Sequence, residues 1–576
     1  MDVADKYDKV VELAKRRGFF WPSYEVYGGV AGLYDLGPLG AVLKNRIVDK
    51  WREWFVGKHQ DIVVEIETPV ITPYKVLEAS GHVRHFTDPI VECMKCGRKF
   101  RADQLVEEHA GIKVEGMSID EINKVIGEKG VRCPTCGGGL SDVRLFNLLF
   151  TTTIGPYSQD VGYLRPESAQ GIFTAFKRVY EAFRERLPLG IAQIGKVARN
   201  EISPRQGMVR LREFTIMEVE FFFDPENPSC DLLDRCDGKL RLLTSDLRVK
   251  GVDKPVELSA KEAVESEVIK TPWMAYWMWV AKNFIKSLGI PEDHTYFEEK
   301  LPHEKAHYSA QTFDQLVRIS RWGWIEVSGH AYRTDYDLSM HMKHSGQDFR
   351  VFKKYDQPTI ARVEKVLINK ALIGKVFKER STDVINAVSS VGADVLKTLL
   401  KTDDEYIRIG EYLIPKNAVT VQEVIEKVSG KHIVPHVVEP SFGAERLLLI
   451  VLDNSYSEED GRVVMKLPRD LAPIQVAVYP LVSDDVLEQK AKQIYEELKS
   501  CGLYVVYDDS GSIGRRYARA DEVGVPIAVT VDHQTLDDST VTLRDRDSKA
   551  QIRVREEEIV QKVLMFLRSS VAITQL

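Results

Sequence analysis

Two charged segments in the middle of the chain have residue types and spacings suited to holding a nucleotide phosphate. An Arg-x-Glu triplet precedes a loop, and an arginine, an aromatic residue and an acid follow it, namely Arg199, Glu201, Arg210, Phe214 and Glu218. Alternate residues of a strand share a face, and the intervening 'ISPRQGMV' has the Pro and Gly of a hairpin loop. Guanidinium groups bind phosphate through two parallel N–H···O hydrogen bonds. No GxxxxGK[ST] loop occurs, so the pattern predicts an arginine-based nucleotide site and excludes a P-loop.

Two CxxC pairs have the spacing of zinc knuckles. Cys93 and Cys96 form the first and Cys133 and Cys136 the second, and a glycine follows each pair to permit a tight turn. Four thiolates complete a tetrahedral zinc site with no open position, so a structural Zn²⁺ ribbon is predicted. A redox pair or unrelated thiols are the alternatives, and the basic residues near 95–101 suit either RNA contact or a solvated face.

Composition excludes several classes of protein. A chain of 576 residues favours three or four domains, and its 44% hydrophobic and 29% charged residues are ordinary for a soluble protein. The sequence contains no apolar stretch long enough to span a bilayer, and the charged N-terminus lacks the apolar core of a secretory signal, so we expect a cytoplasmic protein without a membrane role. The net charge of −7 requires any nucleic acid to meet a locally basic surface.

Irregular alternation of helix and strand patterns predicts an α+β fold. Helical patterns cover 41–58, 168–186, 362–379 and 484–500, and strand patterns cover 61–71, 213–223 and 324–329. After Asp470, strands and helices alternate over about a hundred residues, which indicates a compact C-terminal α/β domain. Charged helical patterns without obvious chemistry at 225–300 and 351–425 are interpreted as insertions.

The charged segments resemble the signature motifs of the class II aminoacyl-tRNA synthetases. Arg-x-Glu, a loop, Arg210, Phe214 and Glu218 match motif 2, although Ala198 stands where many members have an aromatic residue. The helix from Gly40 to about Gly57, with the strand reaching Pro69, resembles motif 1. 'EPSFGAERLLLIVL' (439–452) resembles motif 3, with Arg446 retained and Glu445 in place of a frequent glycine. The resemblance implies a catalytic domain built on an antiparallel sheet with helices.

Longer strings are similar to the dimeric glycyl-tRNA synthetases of archaeal and eukaryotic type. They include 'RRGFFWPSYEVYGGVAGLYDLGPLG' (16–40), 'SGHVRHFTDP' (80–89), 'LRPESAQG' (164–171) and 'RNEISPRQGMVRLREFTIMEVE' (199–220). The resemblance implies a homodimer that activates glycine with ATP and Mg²⁺ and transfers it to the 3′ end of tRNA(Gly). The C-terminal domain resembles the anticodon-binding domain shared by the glycyl, histidyl, prolyl and threonyl enzymes.

On this basis the chain divides into alternating parts of the catalytic domain and insertions. The predicted catalytic parts are 1–92 with motif 1, 146–224 with motif 2, 301–350, and 426–470 with motif 3. The predicted insertions are the zinc ribbon at 93–145 and the segments 225–300 and 351–425, and the anticodon-binding domain is 471–576.

The resemblance also implies roles for individual residues. Catalysis falls to Arg199, Glu201 and Arg446. The ATP-binding residues are Arg199, Asn200, Glu201, Val209, Arg210, Leu211, Phe214, Glu326, Val327 and Arg446. The glycine-binding residues are Arg101, Arg165, Glu167, Glu218, Glu439, Pro440 and Ser441, with acids for the ammonium and Arg165 for the carboxylate. Glu326 and Glu439 are candidate Mg²⁺ ligands, and Arg515, Arg516 and Arg519 are candidate tRNA contacts.

Three other functions compete with this hypothesis. A synthetase for another small amino acid would share every motif. A catalytically silent RNA-binding relative would be expected to have lost Arg199, Glu201, Arg210 or Arg446, and all four are retained. A zinc-ribbon protein that only binds nucleic acid leaves the carboxylate-rich clusters unexplained.

Overall fold

The computed structural model describes residues 3–112, 114, 116–156, 160–204, 206–402 and 404–576. Two compact units are present. One contains the chain up to Phe349 together with Pro435–Leu576, and the other is Arg350–Val434. In the described residues, no helix is both long and apolar enough to cross a membrane.

Within the described residues, the first unit is organised on a nine-stranded sheet. Its strands, in chain order, are β1 (Val63–Glu65), β2 (Leu189–Ala198), β3 (Glu213–Phe223), β4 (Leu240–Leu243), β5 (Val256–Leu258), β6 (Thr295–Glu299), β7 (Gln311–Ile319), β8 (Gly323–Thr334) and β9 (His436–Gly443). The spatial order is β5-β4-β6-β7-β8-β9-β3-β2-β1. Neighbours are antiparallel except β1 with β2 and β4 with β6. The predicted antiparallel catalytic sheet is therefore confirmed.

Helices cover the sheet because each carries a broad apolar stripe. Those used below are α1 (Val3–Arg17), α2 (Pro38–Phe55), α3 (Ala169–Ala182), α4 (Pro272–Ser287), α5 (Tyr336–Ser345) and α6 (Ala444–Ser455). One face of β3 packs on α4, where the Phe221 ring lies 4.5 Å from Trp273. The other face packs on α3, where Phe222 stacks on Phe176 at 4.2 Å. Residues of β3 are thereby fixed from both sides.

The segment 225–300, interpreted from sequence as an insertion, is built into this sheet and its core. It supplies β4, β5 and β6, and most residues of its helix α4 are buried, with Trp277 and Phe284 fully so. An insertion at 225–300 would therefore be one that adds strands and core residues to the catalytic sheet. The apolar residues of α4 fill the space beneath β3, where Trp273 and Trp277 contact Phe221.

The segment predicted as a zinc ribbon forms a small layer with its own apolar cluster. Strands Thr87–Glu92, Lys99–Arg101 and Arg144–Asn147 form an antiparallel sheet, and helices Ala102–Ala110 and Ile119–Glu128 pack beside it. The second helix begins at Ser118 with a capping box closed by Glu121, which satisfies its first backbone donors.

The C-terminal segment forms the predicted α/β domain. Its strands are β10 (Val476–Pro480), β11 (Val505–Tyr507), β12 (Ile527–Val531), β13 (Thr540–Asp545) and β14 (Gln551–Arg555), in the order β11-β10-β12-β13-β14. Its helices are α7 (Asp485–Ser500), α8 (Ile513–Val523), α9 (His533–Asp538) and α10 (Ile559–Arg568). Ion pairs from Arg16 and Arg17 of α1 to Glu522 of α8 attach it to the catalytic part.

The second unit corrects one predicted element. Residues 362–368, expected to begin a helix, belong to the strand Val351–Ile368, which pairs antiparallel with Val419–Ile433. A helix starts only at Lys370 and ends at Phe377, and helices Ser381–Ser389 and Ala393–Leu400 follow. The Val and Ile residues that matched a helical period are β-branched and here pair across a long hairpin, so tertiary pairing overrode the local pattern.

Candidate active site

A cavity of 490 Å³ opens in the first unit over β3, β7, β8 and β9. Most of the residues predicted to bind substrates line it: Arg101, Glu167, Arg199, Glu201, Val209, Arg210, Leu211, Phe214, Glu218, Glu326, Val327, Glu439, Ser441 and Arg446. Side chains more than two hundred residues apart in sequence thus meet in one space. The cavity has an arginine end (Arg101, Arg199, Arg210 and Arg446) and an acidic end. At the acidic end Glu167, Glu218 and Glu439 line the cavity, and the buried Glu220 and Asp337 lie near Glu439 outside the lining.

Arg199 at the arginine end is placed by the termination of β2. The strand ends at Ala198, so Arg199 and Glu201 follow it in a loop and do not lie on the strand as the alternation predicted. The Arg199 amide still donates to Arg212, and its guanidinium Nε donates to the Pro166 carbonyl at 3.1 Å. The guanidinium lies 5.4 Å from the centroid of the Phe214 ring. An aromatic face and a cation are thus presented together to the cavity.

The other arginines concentrate positive charge at the same end. Arg446 donates to the carbonyls of Val209 and Glu326, at 3.1 and 2.6 Å, which fixes its orientation. Burial lowers the pKa of Arg210, and the nearby Arg101 and Arg446 add to that effect. Arginines held this close together without full neutralisation form a site for a polyanion.

Glu201 offers an acceptor in the same region. Its Oε2 is buried and has no hydrogen-bond partner among the described residues, and the nearest ion pair to that atom, from Arg210 Nε, is long at 3.9 Å. A buried carboxylate oxygen requires a donor, so this atom fits an amine hydrogen of a bound base. The prediction that Glu201 contacts an adenine amine is compatible with this geometry.

The acidic end is assembled by hydrogen bonds to Glu218. Its carboxylate accepts from the Ser441 hydroxyl at 2.9 Å and from the Ser168 amide at 2.8 Å. Burial raises the pKa of Glu218 to about 8, and Glu439 and Glu167 raise it further toward that value. Near neutral pH Glu218 is therefore largely protonated, and a bound ammonium group would stabilise its ionised form.

Arg333 at the end of β8 holds the acidic end together. Its guanidinium is fully buried and donates to Asp337 at 2.8 and 3.0 Å and to Glu439 at 2.8 Å. The Tyr308 ring lies 3.8 Å from the guanidinium carbon. Burial raises the pKa of Glu167, but His82 and Arg333 outweigh burial and keep that pKa below its ordinary value. The acidic end therefore contains several carboxyl groups around one fixed cation.

Sequence reasoning missed several of these groups. Arg333, Asp337, Tyr308 and His82 were not selected, although Arg333 and Asp337 stand at the i, i+4 spacing of a local ion pair. That spacing was the one available signal, because Tyr308 and His82 reach the acidic end only through the tertiary fold.

Three predicted site residues do not line the cavity, as far as the described residues define it. Asn200 and Pro440 are outside its lining. Arg165, expected to face a substrate carboxylate, is 4% exposed and donates to the carbonyls of Lys196 and Thr68, at 2.8 and 2.9 Å. Its Nε and Nη1 are used by these main-chain oxygens and Glu218 is among its charged neighbours, so its contact with a substrate carboxylate stays a prediction.

Arg101, predicted to bind glycine, lies instead at the arginine end. Its Nη1 is 2.8 Å from Asp88, and its other charged neighbours are Asp103 and Glu201. Burial raises the pKa of Asp88 to about 6, and the Arg101 cation opposes that rise. Arg101 is therefore positioned near Arg210 at the arginine end and not at the acidic end.

The two predicted Mg²⁺ ligands are too far apart to share one ion. Glu439 pairs with Ala331 of β8, five residues along that strand from Glu326, a separation of roughly 17 Å at the rise of a strand. Glu326 instead has Asp314 as its acidic neighbour. Burial raises the pKa of Asp314 to about 7, with Glu326 the next cause, and Lys300 Nζ lies 2.7 Å from the carboxylate.

The four predicted zinc ligands converge. Their sulfur atoms lie within 4.8 Å of one another, with Cys93 Sγ 3.5 Å from Cys136 Sγ and Cys96 Sγ 3.7 Å from Cys133 Sγ. A tetrahedral zinc with bonds of about 2.3 Å separates its sulfur ligands by about 3.8 Å. Gly97 and Gly137 have positive φ, as tight knuckle turns require, so the donor set fits a structural zinc.

The arginines of α8 occupy three different environments. Arg515 is exposed. Arg519 donates to Asp508 at 2.9 Å. Arg516 is 1% exposed and donates to the carbonyls of Asp509 and Gly511, at 2.8 and 2.7 Å, and to Pro480. The prediction of Arg516 as a tRNA contact is corrected, because its buried guanidinium donates to carbonyls of the loop that precedes α8.

Comparison with known proteins agrees with this architecture. The family model described as "tRNA synthetase class II core domain (G, H, P, S and T)" matches residues 155–313, and that described as "Anticodon binding domain" matches 475–565. The first match includes β4, β5 and β6, which supports their place in the catalytic domain.

Curated relatives resemble the chain over nearly its whole length. The glycine–tRNA ligase of Aeropyrum pernix is 57% identical over 98% of this chain and 97% of its own length. Those of Pyrococcus furiosus and Methanocaldococcus jannaschii are 49% and 44% identical, over 97% and 96% of this chain and 98% of each relative. With this similarity, and with a cavity whose arginines and carboxylates match the class motifs, the chain belongs to the glycine–tRNA ligase family of class II aminoacyl-tRNA synthetases.

Proposed function

We propose that this chain activates glycine with ATP, releases diphosphate, and transfers the glycyl group to the 3′ end of tRNA(Gly). The observation that carries the proposal is the two-ended cavity. Arginines and an aromatic ring at one end suit a nucleotide triphosphate, and carboxylates at the other suit an ammonium group. Both ends are presented by β3, through Phe214 and Glu218.

Activation in this proposal depends on positioning and charge stabilisation. The glycine carboxylate attacks the α-phosphorus in line, one oxygen–phosphorus bond forms, and the bond to diphosphate breaks. Arg199 stabilises the charge that develops on the phosphate oxygens, and Phe214 stacks on the base whose amine reaches Glu201. Arg210 and Arg446 hold the leaving diphosphate. No side-chain nucleophile is required.

Selection of glycine rests on the acidic end. Glu167, Glu218, Glu439 and Ser441 surround the ammonium, and the hydrogen bonds from Ser168 and Arg333 leave these carboxylates little freedom to move. Adding one methyl group to a tightly packed site costs about 1–3 kcal/mol, or roughly 5- to 150-fold in affinity. Exclusion of alanine by shape is therefore physically sufficient for substantial discrimination.

Magnesium in this proposal is held by Asp314 with Glu326, and Glu439 is left to the amino acid. Carboxylates supplemented by substrate phosphates are the usual ligands of this ion, and two neighbouring acids of which one is buried fit that requirement. When bound, the ion would neutralise phosphate charge. The zinc in Cys93, Cys96, Cys133 and Cys136 would be structural.

We also propose that the chain forms a homodimer through the small sheet formed by Ile71–Pro73, Val161–Leu164 and Phe150–Thr153. Apolar side chains on and beside this sheet are exposed together, with Ile71 at 50%, Val70 at 38% and Val161 at 36%. An apolar patch of this kind commonly marks an interface. A sedimentation mass equal to one chain would contradict the proposal.

Amino-acid-dependent exchange of diphosphate into ATP, measured with all twenty amino acids, tests the function. We expect exchange with glycine and none with alanine or serine, which separates this function from a synthetase for another small amino acid. Arg199→Ala should abolish the exchange while the protein remains folded. Arg178→Ala, on the exposed side of α3, is the matched control and should retain it. Normal exchange in Arg199→Ala would contradict the assignment of the arginine end.

A further inference from the structure

Glu220, which none of the predicted roles uses, is a buried carboxyl group that no donor of the described residues reaches. It lies on β3 two residues beyond Glu218, so both side chains point to the same face. Glu220 is 0% exposed, and neither carboxyl oxygen has a hydrogen-bond partner among the described residues. An ionised carboxylate in such a position is strongly destabilised, because neither water nor a protein donor replaces its solvation.

The groups around Glu220 make ionisation still less favourable. Glu218 faces it from its own strand, Glu439 from β9, Asp337 from α5 and Arg333 from β8. Three of these four neighbours are carboxyl groups. Arg333 is the one cation among them, and its donors are directed at Asp337 and Glu439. Burial raises the pKa of Glu220 well above its ordinary value, and Glu439 is the next contributor.

The strand register brings Glu220 beside Glu439. Phe221 of β3 pairs with Val438 of β9, and Glu220 and Glu439 are the next residues along the two antiparallel strands. Arg333 Nη1 donates to one oxygen of Glu439, Oε2. A protonated Glu220 has an O–H group, which can donate to the carboxylate of Glu439. A hydrogen bond from a neutral acid to a carboxylate favours the ionised form of the acceptor.

We propose that Glu220 keeps its proton and donates it in a hydrogen bond to Glu439, so that Glu439 remains an anion directed at the amino-acid ammonium. Glu220 is thus a positioning residue that acts through Glu439, and this role rests on the proposed glycine site. Because Glu220 is neutral, it adds no further negative charge to the four other carboxyl groups buried behind that site. Glu220 thus stays neutral, and Glu218 and Glu439 provide the negative charge that pairs with the substrate ammonium.

Two substitutions separate this role from a simple structural one. Glu220→Gln keeps the volume, the neutrality and an N–H donor, so the KM for glycine should change less than about threefold, with the same dependence on pH as in the unmodified chain. Glu220→Met keeps a similar volume but removes the donor. Loss of a hydrogen bond to a charged group should raise the KM for glycine about 10- to 150-fold and leave the KM for ATP unchanged.

The measurement is glycine-dependent diphosphate exchange between about pH 6 and 9, with melting temperatures recorded for each variant. Glu213→Gln, at the exposed start of β3, is the matched control and should behave as the unmodified chain. A Glu220→Gln variant with weakened glycine binding or a shifted pH profile would show that the ionised form is needed and would overturn the proposal. An unchanged glycine KM in Glu220→Met would also overturn it.

These outcomes are distinguishable from failure of the proposed function. If the unmodified chain shows no glycine-dependent exchange, the function itself is wrong, whatever the Glu220 variants do. If Glu220→Met does not fold, the glycine KM of Glu220→Gln and its pH profile decide the question, because both should change if the native group were ionised and should be retained if it is neutral.

Discussion

Glu218→Gln should reduce the pH dependence of the stability of the catalytic unit. Burial, followed by Glu439 and Glu167, raises the pKa of Glu218 from 4.5 to about 8. Between these values the folded protein holds a proton that the unfolded chain has released. Stability therefore falls as pH rises, by about 1.4 kcal/mol per pH unit, and this single group accounts for roughly 5 kcal/mol across the window.

Glutamine removes that titration while filling the same space. Its side-chain carbonyl can still accept from the Ser168 amide, and the Ser441 hydroxyl can rotate to accept from the new N–H. We expect Glu218→Gln to match the unmodified chain near pH 5 and to exceed its stability increasingly toward pH 8. Glycine activation should be lost or its KM raised at least about tenfold, because the ammonium loses a charged partner.

The assay is unfolding of the catalytic unit at about pH 5, 6, 7 and 8, with and without glycine. Glycine should stabilise the unmodified chain, because its ammonium favours ionised Glu218, and should have little effect on the variant. If the free energy of unfolding depended on pH in the same way in both proteins, the inference that Glu218 is protonated in the absence of glycine would be refuted.

Three further predictions concern other parts of the molecule. Arg516→Ala should destabilise the C-terminal domain by about 3 kcal/mol, because buried carbonyls lose their donor, and its melting temperature should fall. Arg515→Ala should leave the melting temperature unchanged and raise the KM for tRNA. Elemental analysis should find one zinc per chain, and Cys96→Ser should reduce that content; a metal-free chain of full stability would remove the ribbon assignment. Asp314→Asn should raise the magnesium concentration needed for half-maximal exchange about tenfold, and an unchanged requirement would place the ion elsewhere.

The parts of the fold that local pattern determines were predictable. The alternation in 'EFTIMEVEFFF' gave a strand whose bounds, Glu213–Phe223, are those of the structure, because both faces of β3 are packed and its aromatic residues suit a sheet. The paired cysteines were predictable for a similar reason. Tetrahedral zinc chemistry imposes a short ligand spacing that is visible in sequence.

The parts that depend on tertiary pairing were not predictable. Residues 362–368 have helical spacing, but they pair with residues 419–425 of a distant strand. The local pattern therefore did not contain the information needed to predict a strand. Arg516 looks like an exposed helix arginine, and its burial follows from the fold of the loop before α8. Tyr308 has no neighbouring motif, and only the assembled sheet brings its ring over Arg333.

The placement of Phe214 and Glu218 on one strand has a consequence for how specificity can change. These residues are four positions apart, so their backbone separation is roughly 13 Å, and β3 is bonded on both edges to β2 and β9. A strand clamped in this way cannot lengthen or slide by a fraction of a residue. The distance between the proposed base and ammonium positions is therefore fixed by the strand. A larger amino acid can be admitted only by changing side chains along β3 and not by relaxing a loop.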